Sequence, residues 1–245
     1  MKDKNNLKKY FVVLLLSFAF VLTGCGKYKI VNTEKPDTNN NTQTENNNKS
    51  DAIVIPGDDS SIDENNTMKT EKNFSMGEWK NNIYSNDFLD IRFYQPKGWT
   101  ASTQEEIAEM MDISADKLYN NNADVMLELA KRTTVYYMMS KNEKTGDNVI
   151  VMSEKPVMNI TMDYYISVLK QQLKEVNNIK YEIIETLDDK LGNKEYKTIL
   201  VNATMNGVTL MQKYYVSKKG NYFVSIIVTS VNGKSGISDI SKYFD

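Results

Sequence analysis

The 245-residue chain has no histidine, one cysteine (Cys25), two arginines (Arg92 and Arg132) and four prolines. Histidine is the only side chain whose unperturbed pKa lies near neutrality. Its absence excludes a Ser-His-Asp triad, a Cys-His pair and zinc sites of the H-E-x-x-H kind. A lone cysteine excludes an internal disulfide and a cysteine metal cluster. Catalysis would have to come from Asp, Glu, Lys, Tyr, Ser and Thr, so the expectation is a protein that is not an enzyme and that carries no metal and no cofactor. With few arginines and no run of basic residues, nucleic acid is not an expected partner. A strongly anionic membrane surface is not expected to attract the chain electrostatically either. The one long apolar run, Phe11–Leu22, is twelve residues broken only by Ser17. A helix needs about 20 residues to cross a bilayer.

What is present at the N-terminus has a clear order. Lys2, Lys4, Lys8 and Lys9 stand against Asp3, the apolar run follows, and Leu22-Thr23-Gly24-Cys25 closes it. A positive stretch followed by a short apolar one is the pattern of an export signal. Leu22-Thr23-Gly24-Cys25 resembles the bacterial lipobox, in which small residues precede a cysteine. The resemblance implies diacylglycerol transfer to the Cys25 sulfur and cleavage between Gly24 and Cys25. One acyl chain binds a membrane only marginally, whereas two hold it stably. Membrane lipid is therefore an expected partner through Cys25, with the protein on the extracytoplasmic face. Residues 1–24 carry four lysines and one aspartate, so the chain without them has a net charge of −5 against −2 overall.

Residues 25–73 read as the lipidated cysteine and a disordered tether. Asn39-Asn40-Asn41, Asn46-Asn47-Asn48 and Asn65-Asn66 lie among Thr, Ser, Asp, Glu and Lys, with sparse apolar residues and no period. Such a segment cannot bury enough surface to offset its ordering entropy. As a flexible coil of roughly 50 residues it averages about 40 Å end to end. Ala52-Ile53-Val54-Ile55-Pro56 is the exception, read as an apolar patch within it. Asp59, Ser61, Asp63 and Asn65 alternate like the start of a calcium loop, but Glu64 stands where glycine is required and Thr70 where glutamate is.

Residues 74–245 read as one α+β domain. Leu89, Ile91 and Phe93 alternate with Asp90, Arg92 and Tyr94, which is strand periodicity. Ile83-Tyr84 and Phe88–Tyr94 are expected to form an opening hairpin. Pro96-Lys97-Gly98 turns the chain before Trp99. Ser102-Thr103-Gln104-Glu105 reads as a capping box for a helix from about Thr103 to Met111, and a second helix is expected over Asp116–Lys131. Strands Thr133–Ser140 and Asn148–Ser153 follow. Thr161 caps an amphipathic helix whose apolar face is Met162, Tyr165, Ile166, Leu169, Leu173 and Val176. Four strands close the domain (180–185, 195–205, 208–217 and 222–229), with Asn206-Gly207 as a type I′ hairpin turn and a short terminal helix over Ile237–Phe244. Hairpins mixed with helices imply a central, mostly antiparallel sheet flanked by helices. This order, with Tyr84, the Leu89-Ile91-Phe93 strand and the Pro96-Lys97-Gly98-Trp99 turn, resembles the PsbP-like family of extracytoplasmic domains. That resemblance implies a fold and no ligand residues.

Three sets of motifs carry possible chemistry. Ser114-Ala115-Asp116-Lys117, Ser140-Lys141-Asn142 and Lys144-Thr145-Gly146 repeat in order the S-x-x-K, S-x-N and K-T-G elements of penicillin-recognising enzymes. They lie too close in sequence to converge as those elements do, because K-T-G falls in a hairpin turn beside S-x-N. Asn232-Gly233-Lys234-Ser235 ends like a phosphate loop, but Val228 stands where its first glycine belongs. Tyr136-Tyr137 and Tyr214-Tyr215 sit on strands, where neighbours point to opposite faces; an uncovered face would make these rings a binding surface. The sequence thus favours a lipid-anchored exterior module that binds a protein or envelope partner without catalysis. A carrier or sensor for a lipid or metabolite, and a histidine-free Ser/Lys hydrolase, are the alternatives.

Overall fold

A computed structural model describes residues 74–113 and 123–245. Gly24, Cys25, the tether with its Ile53–Ile55 patch, and the Ser114–Lys117 motif lie outside the described residues.

Among the described residues, ten strands and four helices follow in the order β1 (Glu78–Lys80), β2 (Ile83–Asn86), β3 (Ile91–Tyr94), β4 (Thr100–Ala101), α1 (Gln104–Met110), α2 (Ala123–Ala130), β5 (Thr134–Lys141), β6 (Asn148–Glu154), α3 (Met162–Glu175), β7 (Lys180–Leu191), β8 (Lys194–Met205), β9 (Val208–Lys219), β10 (Tyr222–Ser230) and α4 (Gly233–Ser241). They build a small sheet, β1-β2-β3, and a seven-stranded sheet, β4-β5-β6-β10-β9-β8-β7. Every pairing is antiparallel. The class is α+β.

The opening is a three-stranded sheet and not a simple hairpin. The third strand starts at Ile91 because the chain turns through Asp87–Asp90, with Asp90 at φ 56°. Leu89 is buried in that turn. Trp79, on the added strand β1, packs edge-on against Phe93 at 6.3 Å and tilted against Tyr84 at 5.5 Å. Gly77 precedes β1 at φ 74°, and a Cβ there would lie 2.6 Å from both the Ser85 carbonyl oxygen and the Tyr84 hydroxyl. Gly77→Ala should therefore lower stability by about 1–2 kcal/mol for the left-handed backbone alone. Chemical denaturation would read this as a fall in midpoint, and an unchanged midpoint would contradict the packing.

The helix after Trp99 is capped one residue later than the sequence suggests. Thr103, not Ser102, is the N-cap: its hydroxyl accepts from Glu106 N, and the Glu106 carboxylate accepts from Thr103 N. The shift puts Ile107 and Ala108 in the core. Helix α3 matches its predicted face, with Tyr165, Ile166, Leu169 and Leu173 buried and Thr161 accepting from Tyr164 N. Asn206 (φ 49°) and Gly207 (φ 80°) both take the left-handed conformation required at the β8–β9 turn. Strand β7 runs six residues beyond its expected end because its charged residues lie at a solvated sheet edge. The terminal helix starts earlier than expected, at Gly233.

Both faces of the large sheet are covered around its centre. All nine residues of β10 are buried. On one face Tyr165 of α3 stacks on Phe223, 4.1 Å between centroids and 6° between planes. On the other, Tyr222 packs against Phe88 at 5.7 Å and Phe74 at 6.5 Å.

A candidate docking loop above a buried carboxyl

The four tyrosines singled out by the sequence do not form an exposed surface. Tyr136, Tyr137, Tyr214 and Tyr215 are all buried. Pleating sends one ring of each pair to either side, and both sides are occupied. The Tyr137 hydroxyl shares a 2.9 Å hydrogen bond with Ser153 Oγ, and that of Tyr215 a 3.0 Å bond with Ser241 Oγ of α4. Tyr214 donates to Gln212 Oε1 at 2.9 Å, and Gln212 Nε2 donates to Thr229 Oγ1 at 3.2 Å. These rings fill the domain interior.

The S-x-N and K-T-G elements share one hairpin. Ser140 is fully buried and accepts from Gln95 Nε2 at 3.2 Å. Gly146 N donates to Asn142 O across the turn that carries Lys144-Thr145-Gly146. Among the described residues no cluster of three or more Cys, Asp or Glu is arranged to hold a metal ion.

A different group stands out. Glu154 ends β6, opposite Thr134 of β5 and Phe223 of β10, and is 3% exposed. The Tyr165 hydroxyl donates to Glu154 Oε2 at 2.5 Å. Burial raises the carboxyl pKa from 4.5 to about 7, against the opposing effect of the Tyr165 hydrogen bond. Burial and the neighbouring carboxylate push the Tyr165 phenol well above its ordinary value. Tyr136, also raised by burial and then by Glu154, has a buried hydroxyl with no hydrogen-bond partner among the described residues. Sequence reasoning misses Glu154 because it lies one residue past the expected strand end at Ser153, after the apolar run Val149–Met152.

Glu154 and Tyr165 bracket the loop from Lys155 to Thr161, so their hydrogen bond joins its two ends. Lys155 N donates to Thr133 O at 2.7 Å at the strand side. On the helix side Lys218 Nζ donates to Asn159 Oδ1 at 2.9 Å and Ile160 O at 2.8 Å. The loop is thus fixed at both ends, yet its tip leaves Val157 90% and Met158 52% exposed. At this end of the sheet three ammonium groups lie over aromatic faces: Lys155 is 5.5 Å from the Tyr222 centroid, Lys218 is 5.3 Å from Phe223 and Lys219 is 5.9 Å from Phe88. These contacts hold the lysine stems against the domain while the charges stay at its end. The sequence shows no basic run because Lys155 follows β6 while Lys218 and Lys219 end β9, more than sixty positions away.

No family model matches the chain, and no curated protein sequence matches it. Among solved structures it is similar to PsbP (CyanoP) from Synechocystis sp. PCC 6803, with a TM-score of 0.41 and 10% identity over 66% of this chain and 90% of that one. The α+β class stands on the strand pairing above. No helix among the described residues is long and apolar enough to cross a membrane.

Proposed function

We propose that the chain is a lipoprotein held on the outer face of a membrane through Cys25, and that its folded domain binds a protein or envelope component there without catalysing a reaction. The observation that carries the binding role is the loop tip of Val157 and Met158. A single exposed apolar residue is ordinary on a protein surface. Two in succession, on a loop fixed at both ends and bonded by Lys218 on its helix side, make a built contact point. The anchor rests on Leu22-Thr23-Gly24-Cys25 and on the short apolar run before it.

The test of the anchor is fractionation of cells expressing the natural chain and Cys25→Ser. The natural protein is expected to sediment with membranes, and its N-terminal peptide to carry a diacylglycerol mass. The variant is expected in the soluble fraction or still bearing its leader. A natural protein free of the membrane with an unmodified Cys25 would overturn the anchor. Crosslinking of the membrane-bound protein in living cells tests the binding role, and recovery of no partner from the Val157–Met158 loop would overturn it.

A further inference from the structure

We infer that Met158 is a reversible oxidation site: a two-electron oxidant of the peroxide class converts its thioether to the sulfoxide while the domain stays folded. The inference goes beyond the proposed binding role, and its test does not depend on that role.

The chain has 13 methionines, but their surroundings differ sharply. Met158 is 52% exposed at the tip of the Lys155–Thr161 loop. Met138 on β5 and Met152 on β6 are each 1% exposed. Met110, Met162 and Met211 are half-buried against the core. Among the described residues Met158 is the one exposed methionine.

Exposure decides the reaction because the oxidant must reach the sulfur. A sulfur lone pair attacks one peroxide oxygen, the O–O bond breaks and an S–O bond forms. The sulfur gives up two electrons. The proton on the transferred oxygen passes to the departing hydroxide, which leaves as water. A buried sulfur is reached only through opening of the structure, and in core strands that opening costs up to the full stability of the fold. Met158 needs no opening. Its loop is fastened through other residues: Lys155 N donates to Thr133 O, Lys218 Nζ donates to Asn159 Oδ1 and Ile160 O, and the Tyr165 hydroxyl donates to Glu154. None of these bonds uses the thioether, so the loop keeps its place when the sulfur gains an oxygen.

Met111 is the contrast. It is buried, and its sulfur accepts from Tyr136 N at 3.4 Å. A sulfoxide there, or at Met138 or Met152, would place an added dipole inside apolar packing and weaken the fold. At the loop tip the sulfoxide instead replaces the apolar neighbour of Val157 by a polar group. The exposure that admits a peroxide also admits the sulfoxide reductases, of which one type acts on each sulfoxide epimer.

The experiment uses the full-length chain bearing Cys25→Ser, so that no thiol consumes peroxide. The folded protein is treated with hydrogen peroxide at neutral pH, and peptide masses are followed with time. Met158 is expected to gain oxygen at least about 10-fold faster than Met138 and Met152. Protein oxidised at Met158 alone should melt within about 2 °C of the untreated protein. Both reductase types together, with a thiol reductant, should restore the thioether without unfolding. Met158→Leu should remove the fast phase of oxygen uptake from the domain. Oxidation of Met158 no faster than that of Met138 and Met152 would overturn the inference. So would a larger fall in melting on oxidation at Met158 alone, or a sulfoxide that the reductases restore only after denaturation. All of these readouts are independent of a partner and of acylation, so failure here is distinct from failure of the proposed function.

Discussion

Replacing Glu154 by glutamine should make the domain about 3 kcal/mol more stable at pH 8 and leave it nearly unchanged at pH 4. The folded-state pKa of Glu154 is raised from 4.5 to about 7, so the folded protein holds this proton more tightly than the unfolded chain does. The stabilisation that proton brings is complete below about pH 4.5 and is lost as the pH rises to about 7. Across that window the natural protein should lose about 3 kcal/mol, from 1.36 kcal/mol per pKa unit. Glutamine resembles the protonated acid, and its Oε1 can accept the hydrogen bond that Tyr165 donates to Glu154. The variant's stability should therefore lack this slope. Urea unfolding of both proteins at several pH values between 4 and 8 measures the difference. Parallel stability curves would mean that the carboxyl ionises in the folded protein without cost. The other groups facing it, Thr134, Tyr136, Tyr165 and Phe223, stay uncharged through this range.

The second large effect is expected at Phe93. Phe93→Ala should destabilise the domain by about 3–5 kcal/mol, the usual cost of removing a large buried ring. Phe93 is 0% exposed, and its ring lies 4.9 Å from Phe244, 6.3 Å from Trp79 and 6.5 Å from Trp99. It also forms an antiparallel bridge with Phe244, and Tyr94 N donates to Tyr243 O at 2.8 Å. One side chain thus joins the small sheet, the turn after it and the C-terminal segment. The melting temperature should fall by roughly 10 °C or more, and a milder loss is expected for Phe93→Leu, which keeps part of the volume. A melting temperature within a degree or two of the natural protein would refute this account of the junction.

The parts of the fold visible in the sequence were those with local chemistry. The Asn206-Gly207 turn needs two left-handed residues in succession, and few other pairs supply them. Helix α3 shows a hydroxyl cap and a 3.6-residue apolar period in one stretch. Errors arose where tertiary context overrides pattern. Strand β7 carries Asp188, Asp189 and Lys190 beyond its expected end at residue 185, and there Asp188 pairs with Lys197 of β8 and Asp189 with Lys213 of β9. The tyrosine pairs point to opposite faces, as strand pleating requires, but no local signal tells that both faces are covered. Glu154 and the loop after it were invisible for a related reason. A carboxyl becomes unusual only when the following helix folds back over it, and Lys155 reaches the same end of the sheet as Lys218 and Lys219 only after β6 and β9 have paired with β10.

Phe74, where the described fold begins, has its ring set among Phe88 at 5.3 Å, Tyr137 at 5.8 Å and Tyr222 at 6.5 Å. Any pull transmitted along the preceding segment arrives first at this wedged ring, before it reaches the three-residue strand β1. Mechanical load applied from the N-terminal side would therefore be borne by the aromatic centre of the domain, and the short outer strand would be shielded from being peeled away.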